Sequence, residues 1–462
     1  MMADWTPDLA TRDKPHYLAI ADAIADDIAA GRLAVGDRLP PQRKLAKRLD
    51  IDFTTVARGY VEAQKRGLIE SRVGQGTFVR DRPKPRRNQQ PPAPPRPVDF
   101  SMNLPPEPDH PDLIERMQAG VEYVSRDIVS LLRYQGLGGT QADKDAASSW
   151  LGRRALVPAQ ERIFVSPGAH PALLAILTIL AKPGDAVLCE AITYPGIRSI
   201  AAQLGLKLVG LPMDAEGIDV DALADACKII KPKALYLNPT LQNPTTLTIS
   251  DQRRRDIAAV ARRFRLPLVE DDAYGFIPTH GHAPFAAIAP DLTWHVAGLA
   301  KCIGAGLRAA YVVAPDTRST WPFAAALRAA TVMASPFTVA LVTRWIEDGT
   351  ADTLLRFIRN ETTARQKLAW EILPKGIYKS DPLSFNIWVE LPALWNRAAF
   401  VEHMRSTAIG VVASDAFTAA GPPPEAVRVC LGGPIGRARL AAGLEYMTHA
   451  LEETPALASA FL

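Results

Sequence analysis

The chain has 462 residues, of which 48% are hydrophobic and 22% charged, and this length predicts two or three globular domains. The longest nearly apolar run covers residues 171–181, far short of the roughly 20 residues of a membrane-spanning helix, so no membrane partner is expected. The four cysteines form no CxxC pair, which argues against a zinc site and a disulfide framework and predicts reduced thiols.

Residues 1–99 carry the positive charge of the chain. They hold 18 Lys and Arg against 13 Asp and Glu, whereas the remainder is nearly balanced within the overall net charge of +4. An excess of this sign predicts that nucleic acid binds to the N-terminal part. The N-terminus is acidic and lacks an apolar signal core, so no export signal is visible and the cytoplasm is the expected compartment.

Three helices and a hairpin are predicted within the first eighty residues. Isoleucines recur every four residues from 20 to 28 and predict one buried helix face. A second short helix is predicted over 41–50, where Pro40 and Pro41 suit a first helical turn, and Asp52 can cap a third helix over 54–67. Residues 68–79 indicate two short strands around a glycine-containing turn. This order of elements is typical of a winged helix-turn-helix.

The segment over nearly all of residues 15–80 resembles the GntR-type winged helix, through GRLAVGDRLPPQRKLAKRL, TTVARGY and GLIESRVGQGTFV. The resemblance implies that the third helix enters the major groove of double-stranded DNA and that the second crosses its backbone. The residues then expected to touch DNA are Arg43, Thr54, Thr55 and Arg58 on the helices and Arg72, Gly74 and Gly76 in the wing. Arg43 or Arg58 alone is equally well explained as a solvated helix charge. Phe53 stands where many relatives have a basic residue, so their operators do not transfer to this chain.

A proline-rich stretch, DRPKPRRNQQPPAPPRPVD, follows at residues 81–99. It has no apolar periodicity and the composition of a semi-rigid extended tether. We therefore predict a DNA-binding domain at 1–80, a linker at 81–99 and a second domain at 100–462.

The second domain is predicted to have an α/β fold. From residue 162 onward short apolar runs alternate with longer helical stretches, which implies a mainly parallel sheet covered on both faces. One segment, GLAKCIGAGLRAAYVV, resembles the lysine segment of fold-type I, aspartate aminotransferase-like proteins, which use pyridoxal 5'-phosphate (PLP). The resemblance covers roughly residues 100–455 and implies a large sheet domain with a smaller C-terminal α/β subdomain.

The same resemblance assigns a role to each of several motifs that follow in the family's order. Lys301 would form the internal aldimine with PLP, and Arg308 would grip the phosphate with a forked guanidinium. In LVEDDAYGF and LNPTLQNPT, Asp271 would hold the protonated pyridine nitrogen, while Tyr274 and Asn243 would donate to the phenolic oxygen.

Further motifs would complete the site. A strand-to-helix turn in VSPGAHPALL offers backbone donors to the phosphate, and EAVRVCLGG offers an arginine that would clamp an effector α-carboxylate. Two tyrosines would stack on the cofactor or reach the phosphate of the partner subunit's site. The residues of the turn are Gly168, Ala169 and His170, and the arginine is Arg428. Tyr194 is the tyrosine that would stack on the cofactor, and Tyr134 is the one that would reach the partner's phosphate.

The chain departs from the family pattern at a few positions. Ala300 and Gly298 replace hydroxyl residues that often flank the lysine, and each lost charge-assisted hydrogen bond costs on the order of 1.5–3 kcal/mol, so a modest cofactor affinity is expected. Thr246 stands where relatives favour glycine, and His170 where they favour glutamine.

Together the two parts resemble the MocR-type regulators of the GntR superfamily. One hypothesis is a homodimeric regulator that senses PLP itself, or an amino acid or amine that reacts with it. The length of the linker permits the winged helices to be swapped between the subunits but does not require it. The other is a working aminotransferase with an appended DNA-binding domain. The winged helix favours the first, since a metabolic enzyme has no need of it, and residual transamination stays open.

Overall fold

The computed structural model describes residues 5–7, 15–72, 75–80, 98–136 and 138–452. The chain divides into two compact units, residues 1–96 and 97–462. Gly74 of the expected wing and residues 81–97 of the expected linker lie outside the described residues. The last two residues of that linker, Val98 and Asp99, form a strand of the second unit.

The N-terminal unit has the winged helix-turn-helix order that the sequence predicts. Its elements are α1 (His16–Ala29), α2 (Gln42–Leu49), α3 (Phe53–Lys65), β1 (Ile69–Arg72) and β2 (Gly76–Val79). Ile20, Ile24, Val56 and Tyr60 are buried in one apolar cluster, as their helical spacing requires. The Tyr60 hydroxyl donates to the Pro40 carbonyl oxygen at 2.8 Å and so ties α3 to the turn before α2.

The second unit begins with helices and then alternates strands with helices. Its elements up to the end of the main sheet are β3 (Val98–Asp99), α4 (Pro111–Ser125), α5 (Ile128–Leu131), α6 (Gln141–Gly152), β4 (Ile163–Ser166), α7 (Ala169–Leu180), β5 (Ala186–Glu190), α8 (Pro195–Gln203), β6 (Lys207–Leu211), β7 (Met213–Asp214), β8 (Gly217–Ile218), α9 (Val220–Ile230), β9 (Ala234–Leu237), α10 (Asp251–Phe264), β10 (Leu268–Asp271), α11 (Phe285–Ile288), β11 (Thr293–Gly298) and β12 (Ala310–Val313).

Among the described residues the main sheet has seven strands in the order β4-β12-β11-β10-β9-β5-β6. It is parallel except at β12, which runs antiparallel to both β11 and β4, so the predicted mainly parallel sheet is confirmed. Apolar clusters cover the sheet, and they explain why most of its strands are buried along their whole length and are largely apolar rather than alternating. The carboxyl ends of β9, β10 and β11 lie side by side at one edge.

The smaller C-terminal part is built on a second sheet. The chain first adds α12 (Thr320–Thr331) and α13 (Pro336–Glu347), which pack in the apolar clusters of the main sheet. It continues with α14 (Thr350–Ile372), β13 (Tyr378–Lys379), β14 (Asn386–Glu390), α15 (Arg397–Ser406), β15 (Ile409–Gly410), β16 (Val412–Ala413), β17 (Ala426–Cys430) and α16 (Arg437–Glu452). The antiparallel order is β13-β14-β17-β16, and β3 pairs with β15 in a separate parallel ladder. The chain that leaves the N-terminal unit therefore enters this C-terminal part first.

Two expectations from composition can be compared with the described residues. All four cysteines are buried and free. None of the helices in the described ranges combines the length and the apolar character that crossing a membrane requires.

Candidate functional site

A cavity of about 480 Å³ opens at the carboxyl ends of the central strands in the second unit. Its wall contains ten of the eleven residues that the sequence predicts for this unit. They are Gly168, Ala169, His170, Tyr194, Asn243, Asp271, Tyr274, Lys301, Arg308 and Arg428. Segments separated by more than 250 residues thus meet at one place, because parallel strands end at the same edge of a sheet.

Lys301 follows β11 and extends into this cavity. Its Nζ donates to the main-chain oxygen of Asn103. Burial, together with the positive charges of Arg428 and Arg308, lowers the pKa of Lys301 from 10.5 to about 8, although the charge of Asp271 opposes this shift. The amine is therefore far more often uncharged at neutral pH than a surface lysine, which makes it a better nucleophile.

Asp271 ends β10 and lines the same cavity. Its Oδ2 accepts a hydrogen bond from the Tyr236 hydroxyl at 2.8 Å, and its Oδ1 is buried without a partner among the described residues. Burial raises the pKa of Asp271 to about 6, while the bond from Tyr236 opposes that rise. The carboxyl is mostly ionised at pH 7 and presents one oxygen to a cationic or N–H group.

Polar side chains beside Asp271 hold one another in fixed orientations. The Asn243 Oδ1 accepts from Arg428 Nη1 at 2.9 Å, so the Asn243 NH₂ group is the part left to donate elsewhere. The Tyr274 hydroxyl accepts from the Asn103 side chain at 2.9 Å and keeps its own proton for another acceptor. Asn238 donates to the main-chain oxygen of Asp271 at 2.7 Å and fixes the end of β10.

An anion site lies at the start of α7. Gly168 precedes this helix with φ 100°, a conformation that glycine adopts without strain. A Cβ at Gly168 would lie 3.1 Å from the Arg308 guanidinium. The backbone N–H groups at the start of α7 and this guanidinium are therefore close together. Burial and the charge of Arg308 lower the pKa of His170, which favours its neutral form. This arrangement suits a phosphate.

Tyr134 is the predicted residue that the structure does not bring into the cavity of its own chain. It is 84% exposed and absent from the cavity wall. Tyr194, by contrast, precedes α8 and lines the cavity. Tyr134 therefore makes no contact with this cavity within its own chain.

Sequence reasoning missed part of the wall. Ser101, Met102, Asn103 and Leu104 line the cavity from the start of the second unit. The sequence SMNLPP gives no sign of a binding site, because its contacts with Lys301, Arg428 and Tyr274 are made by main-chain oxygens and by the Asn103 side-chain amide. The Tyr236 hydroxyl donates to Asp271, but in the sequence Tyr236 cannot be distinguished from other core residues of its strand.

The N-terminal unit presents the expected start of α3. Asp52 caps the helix, and its carboxylate accepts from the Thr54 and Thr55 backbone N–H groups at 2.7 and 3.2 Å. Both threonine hydroxyls also donate to this carboxylate. These bonds lower the pKa of Asp52 to about 2, so the cap stays ionised at physiological pH.

Aromatic rings hold the arginines of this unit. Arg58 lies over the Tyr17 ring at 4.4 Å and Arg43 over Phe53 at 5.8 Å, and both arginines are exposed. At position 53, where many relatives have a basic residue, this chain thus has an aromatic ring that the Arg43 guanidinium lies over.

The wing arginine differs from the other two, because Arg72 pairs with Glu70 at 2.6 Å. Gly76 lies opposite Arg72 in the hairpin, with φ 117° and the Arg38 side chain where a Cβ would be. Arg43 and Arg58 are therefore less neutralised than Arg72.

Comparison with known proteins shows which family the chain belongs to. Residues 95–442 match the family model for aminotransferase class I and II, which covers most of the chain. The chain belongs to the class I and II aminotransferase family. Residues 16–79 match the model for bacterial regulatory proteins of the gntR family, so this aminotransferase-family chain carries a GntR helix-turn-helix, as its sequence predicts.

Curated relatives share both parts. The HTH-type transcriptional regulator YdeF of Bacillus subtilis is 29% identical over 451 residues, covering 97% of each chain. The vitamin B6 salvage pathway transcriptional repressor PtsJ of Salmonella typhimurium is 27% identical over 390 residues, covering 82% of this chain and 86% of its own. The MocR-type organisation expected from the sequence is confirmed.

Solved structures match the second unit. The α-aminoadipate aminotransferase LysN of Thermus thermophilus, solved with N-(5'-phosphopyridoxyl)-L-leucine, has a TM-score of 0.70 and 22% identity and covers 79% of this chain and 94% of its own. The match shows that the aminotransferase fold is shared.

The cofactor of this family is PLP, and the residues of the cavity fit it. The buried, unpartnered Asp271 Oδ1 suits a protonated ring nitrogen, the Gly168–Arg308 space suits a phosphate, and the Lys301 amine suits an aldehyde. Tyr274 and Asn243 retain donors for a phenolic oxygen. When bound, PLP supplies an electron sink for chemistry at the α-carbon of an amine.

Tyr236→Phe should weaken PLP binding about tenfold at pH 7. The change removes the hydroxyl that stabilises the Asp271 carboxylate, and a hydrogen bond to a charged group is worth about 1.5–3 kcal/mol. The pKa of Asp271 then rises further above 6, and less of it is ionised to pair with the ring nitrogen. Equilibrium titration of cofactor absorbance measures the change. Tyr311→Phe is the matched control, because Tyr311 is buried in the same sheet and its hydroxyl has no partner among the described residues. Equal losses in both variants would contradict a specific role for Tyr236.

The rate of PLP attachment should rise about tenfold per pH unit below pH 8 and level off above it. Burial lowers the pKa of Lys301 to about 8, and only the uncharged amine attacks an aldehyde, so the reactive fraction saturates there. Stopped-flow absorbance from pH 6 to 9.5 measures the profile. A rate that keeps rising to pH 10, as for an exposed lysine, would show that the amine is not desolvated.

Proposed function

We propose that this chain is a transcription regulator that binds double-stranded DNA with its N-terminal unit and PLP in the cavity of its second unit. It responds to PLP itself or to an amino acid or amine that reaches the same cavity. The observation that carries the proposal is that one chain combines an exposed, capped recognition helix with a cavity in which the amine, the acid and the anion site occur together.

The cavity favours an effector with a carboxylate. Lys301, Arg308 and Arg428 face it with one acidic group, Asp271, so an excess of positive charge remains. Arg308 serves the phosphate, which leaves Arg428 to bind a second anion bidentately. The Arg428 Nε is buried without a partner among the described residues, and an α-carboxylate would satisfy it.

A spectral titration of the full-length protein with PLP and a panel of amino acids and amines tests the proposal, with DNA affinity measured in parallel on duplex DNA. We expect PLP to give visible absorbance, and at least one compound to change both the spectrum and the DNA affinity. In Arg428→Ala the PLP spectrum should persist while the response to amino acids is lost. If no compound, PLP included, changes DNA affinity, the regulatory function is wrong.

A working aminotransferase is the second candidate, because the cavity contains the lysine, the acid and the carboxylate-binding arginine together. Release of ketoacid with amino donors distinguishes the two. Sustained turnover without any effect on DNA affinity would favour the enzyme. Slow or absent turnover with an effect on DNA affinity favours the regulator.

We further propose a homodimer. Tyr134 is exposed in its own chain and would meet a phosphate only in the partner subunit's site. A symmetric dimer also presents two DNA-binding units to paired half-sites. The stretch 81–97, at up to roughly 3.1 Å per residue when extended, could span about 53 Å, which permits a swapped arrangement without requiring it. Light scattering at micromolar concentration tests the dimer, and a 50 kDa species with full cofactor occupancy would refute it.

A further inference from the structure

The segment at residues 100–104, here called the strap, crosses the cavity wall and is fixed at both ends. At its start, the Phe100 side chain is fully buried, its N–H donates to Gly410 O at 2.8 Å, and its carbonyl accepts from Cys430 N at 2.9 Å. Just past its end, the Pro105 carbonyl accepts from Gly433 N at 3.1 Å. The strap directly continues β3, which follows the proline-rich stretch in the sequence.

The middle of the strap is held by two cations of the site. Lys301 Nζ donates to the main-chain oxygen of Asn103, and Arg428 Nη2 donates to that of Ser101. These two groups are the ones that the proposed function assigns to the cofactor aldehyde and to the effector carboxylate. The Asn103 Oδ1, moreover, is buried without a partner among the described residues, so the strap is incompletely bonded on this side.

Attachment of an aldehyde changes what Lys301 can donate. Condensation with an aldehyde would form a carbon–nitrogen double bond at Lys301 Nζ, and the aldehyde oxygen would leave as water with two of the three ammonium protons. Nζ would then keep one proton of three, and the double bond would remove its freedom to turn that proton toward the Asn103 carbonyl. The bond that holds the peptide unit between Asn103 and Leu104 would therefore be lost when the amine takes an aldehyde.

We propose that the strap is a ligand-responsive wall of the cavity, which Lys301 holds through Asn103 while its amine is free and releases when the amine takes an aldehyde. The inference rests on the proposed binding of PLP. It assigns to Asn103 the role of a positioning residue that reports occupancy to the stretch of chain nearest, in sequence, to the DNA-binding unit. Arg428 keeps its bond to Ser101 until a carboxylate competes for it, so the release has a second stage.

Single-residue hydrogen exchange of the full-length protein tests the proposal. The Leu104 N–H belongs to the same peptide unit as the Asn103 carbonyl, and it donates to Met102 O at 2.9 Å. Saturating PLP should accelerate its exchange about fivefold, the effect of losing one ordinary hydrogen bond from a local opening equilibrium. The Phe100 N–H, bonded to Gly410 away from the cations, should not change. Pyridoxine 5'-phosphate, which has the ring and the phosphate but no aldehyde, should leave both amides unchanged.

Two variants separate attachment from donation. Lys301→Arg keeps a donor near the Asn103 carbonyl but cannot condense, so Leu104 should stay protected with or without PLP. Lys301→Met has no donor, so its Leu104 amide should exchange about fivefold faster before any PLP is added and should not respond to PLP.

The outcomes are distinguishable. If absorbance shows bound PLP while Leu104 exchange is unchanged, the strap proposal is wrong and the proposed function stands. Equal acceleration by pyridoxine 5'-phosphate would also overturn it, because ring binding rather than loss of the Lys301 donor would then be the cause. If PLP does not bind at all, the proposed function fails and the strap proposal with it.

Discussion

Lys301→Ala should abolish covalent capture of PLP. Of the residues that line the cavity, Lys301 supplies the amine, and its pKa of about 8 makes it reactive at neutral pH. Loss of a covalent nucleophile cannot be offset by the remaining phosphate and ring contacts, so borohydride-stable adduct should fall from near one per chain to background. Peptide mass spectrometry after reduction measures the loss, and absorbance gives an independent readout.

Lys207→Ala is the matched control for this experiment. Lys207 is exposed at the start of β6 and lies outside the cavity wall, so its removal should leave the adduct unchanged. Weak, non-covalent PLP binding should persist in Lys301→Ala because Arg308 and Asp271 remain. A reduced adduct of equal yield at another lysine in the variant would show that the assignment of Lys301 is wrong.

Arg43→Ala combined with Arg58→Ala should weaken duplex DNA binding by roughly 10- to 100-fold at moderate salt. Both arginines are exposed in the N-terminal unit, Arg43 on α2 and Arg58 on α3. Each phosphate contact releases about one counterion, so the slope of log K against log salt should decrease by about two in magnitude. Fluorescence anisotropy with a labelled duplex at several salt concentrations measures both quantities.

Arg66→Ala controls for the loss of charge alone. Arg66 follows α3 at its far end and is paired with Asp22 at 2.6 Å and Glu62 at 2.9 Å, so little of its charge is available to DNA. Its loss should change DNA affinity much less than the double variant does. If the double variant keeps the wild-type salt slope, the face at the start of α3 is not the DNA-binding surface.

Much of this molecule could be predicted from sequence, for a physical reason. Residues that act through side-chain chemistry, such as Lys301, Asp271 and Arg308, lie in short motifs next to apolar strands, and parallel strands bring their carboxyl ends together. The same logic located α3, because Asp52 caps it and apolar residues recur along one face. Local signals of this kind can be recognised in the sequence without knowledge of the fold.

Other features had no local signal. The strap contributes main-chain oxygens from SMNLPP, and any residue carries such an oxygen. Tyr236 acts through one hydroxyl in a strand whose other residues are simply core, so only the register of β9 beside β10 reveals it. Tyr134 was expected at a phosphate and is exposed in a single chain, because assembly is a property that one chain does not contain.

The Asp52 cap at the start of α3 restricts which DNA bases Thr54 and Thr55 could contact. The Thr54 and Thr55 hydroxyls both donate their protons to the Asp52 carboxylate, so each hydroxyl can only accept a hydrogen bond from another group. In the major groove those lone pairs match the exocyclic amino groups of adenine and cytosine, whereas the acceptor edges of guanine and thymine offer them no proton. A guanine contact by either threonine would first have to break its bond to Asp52.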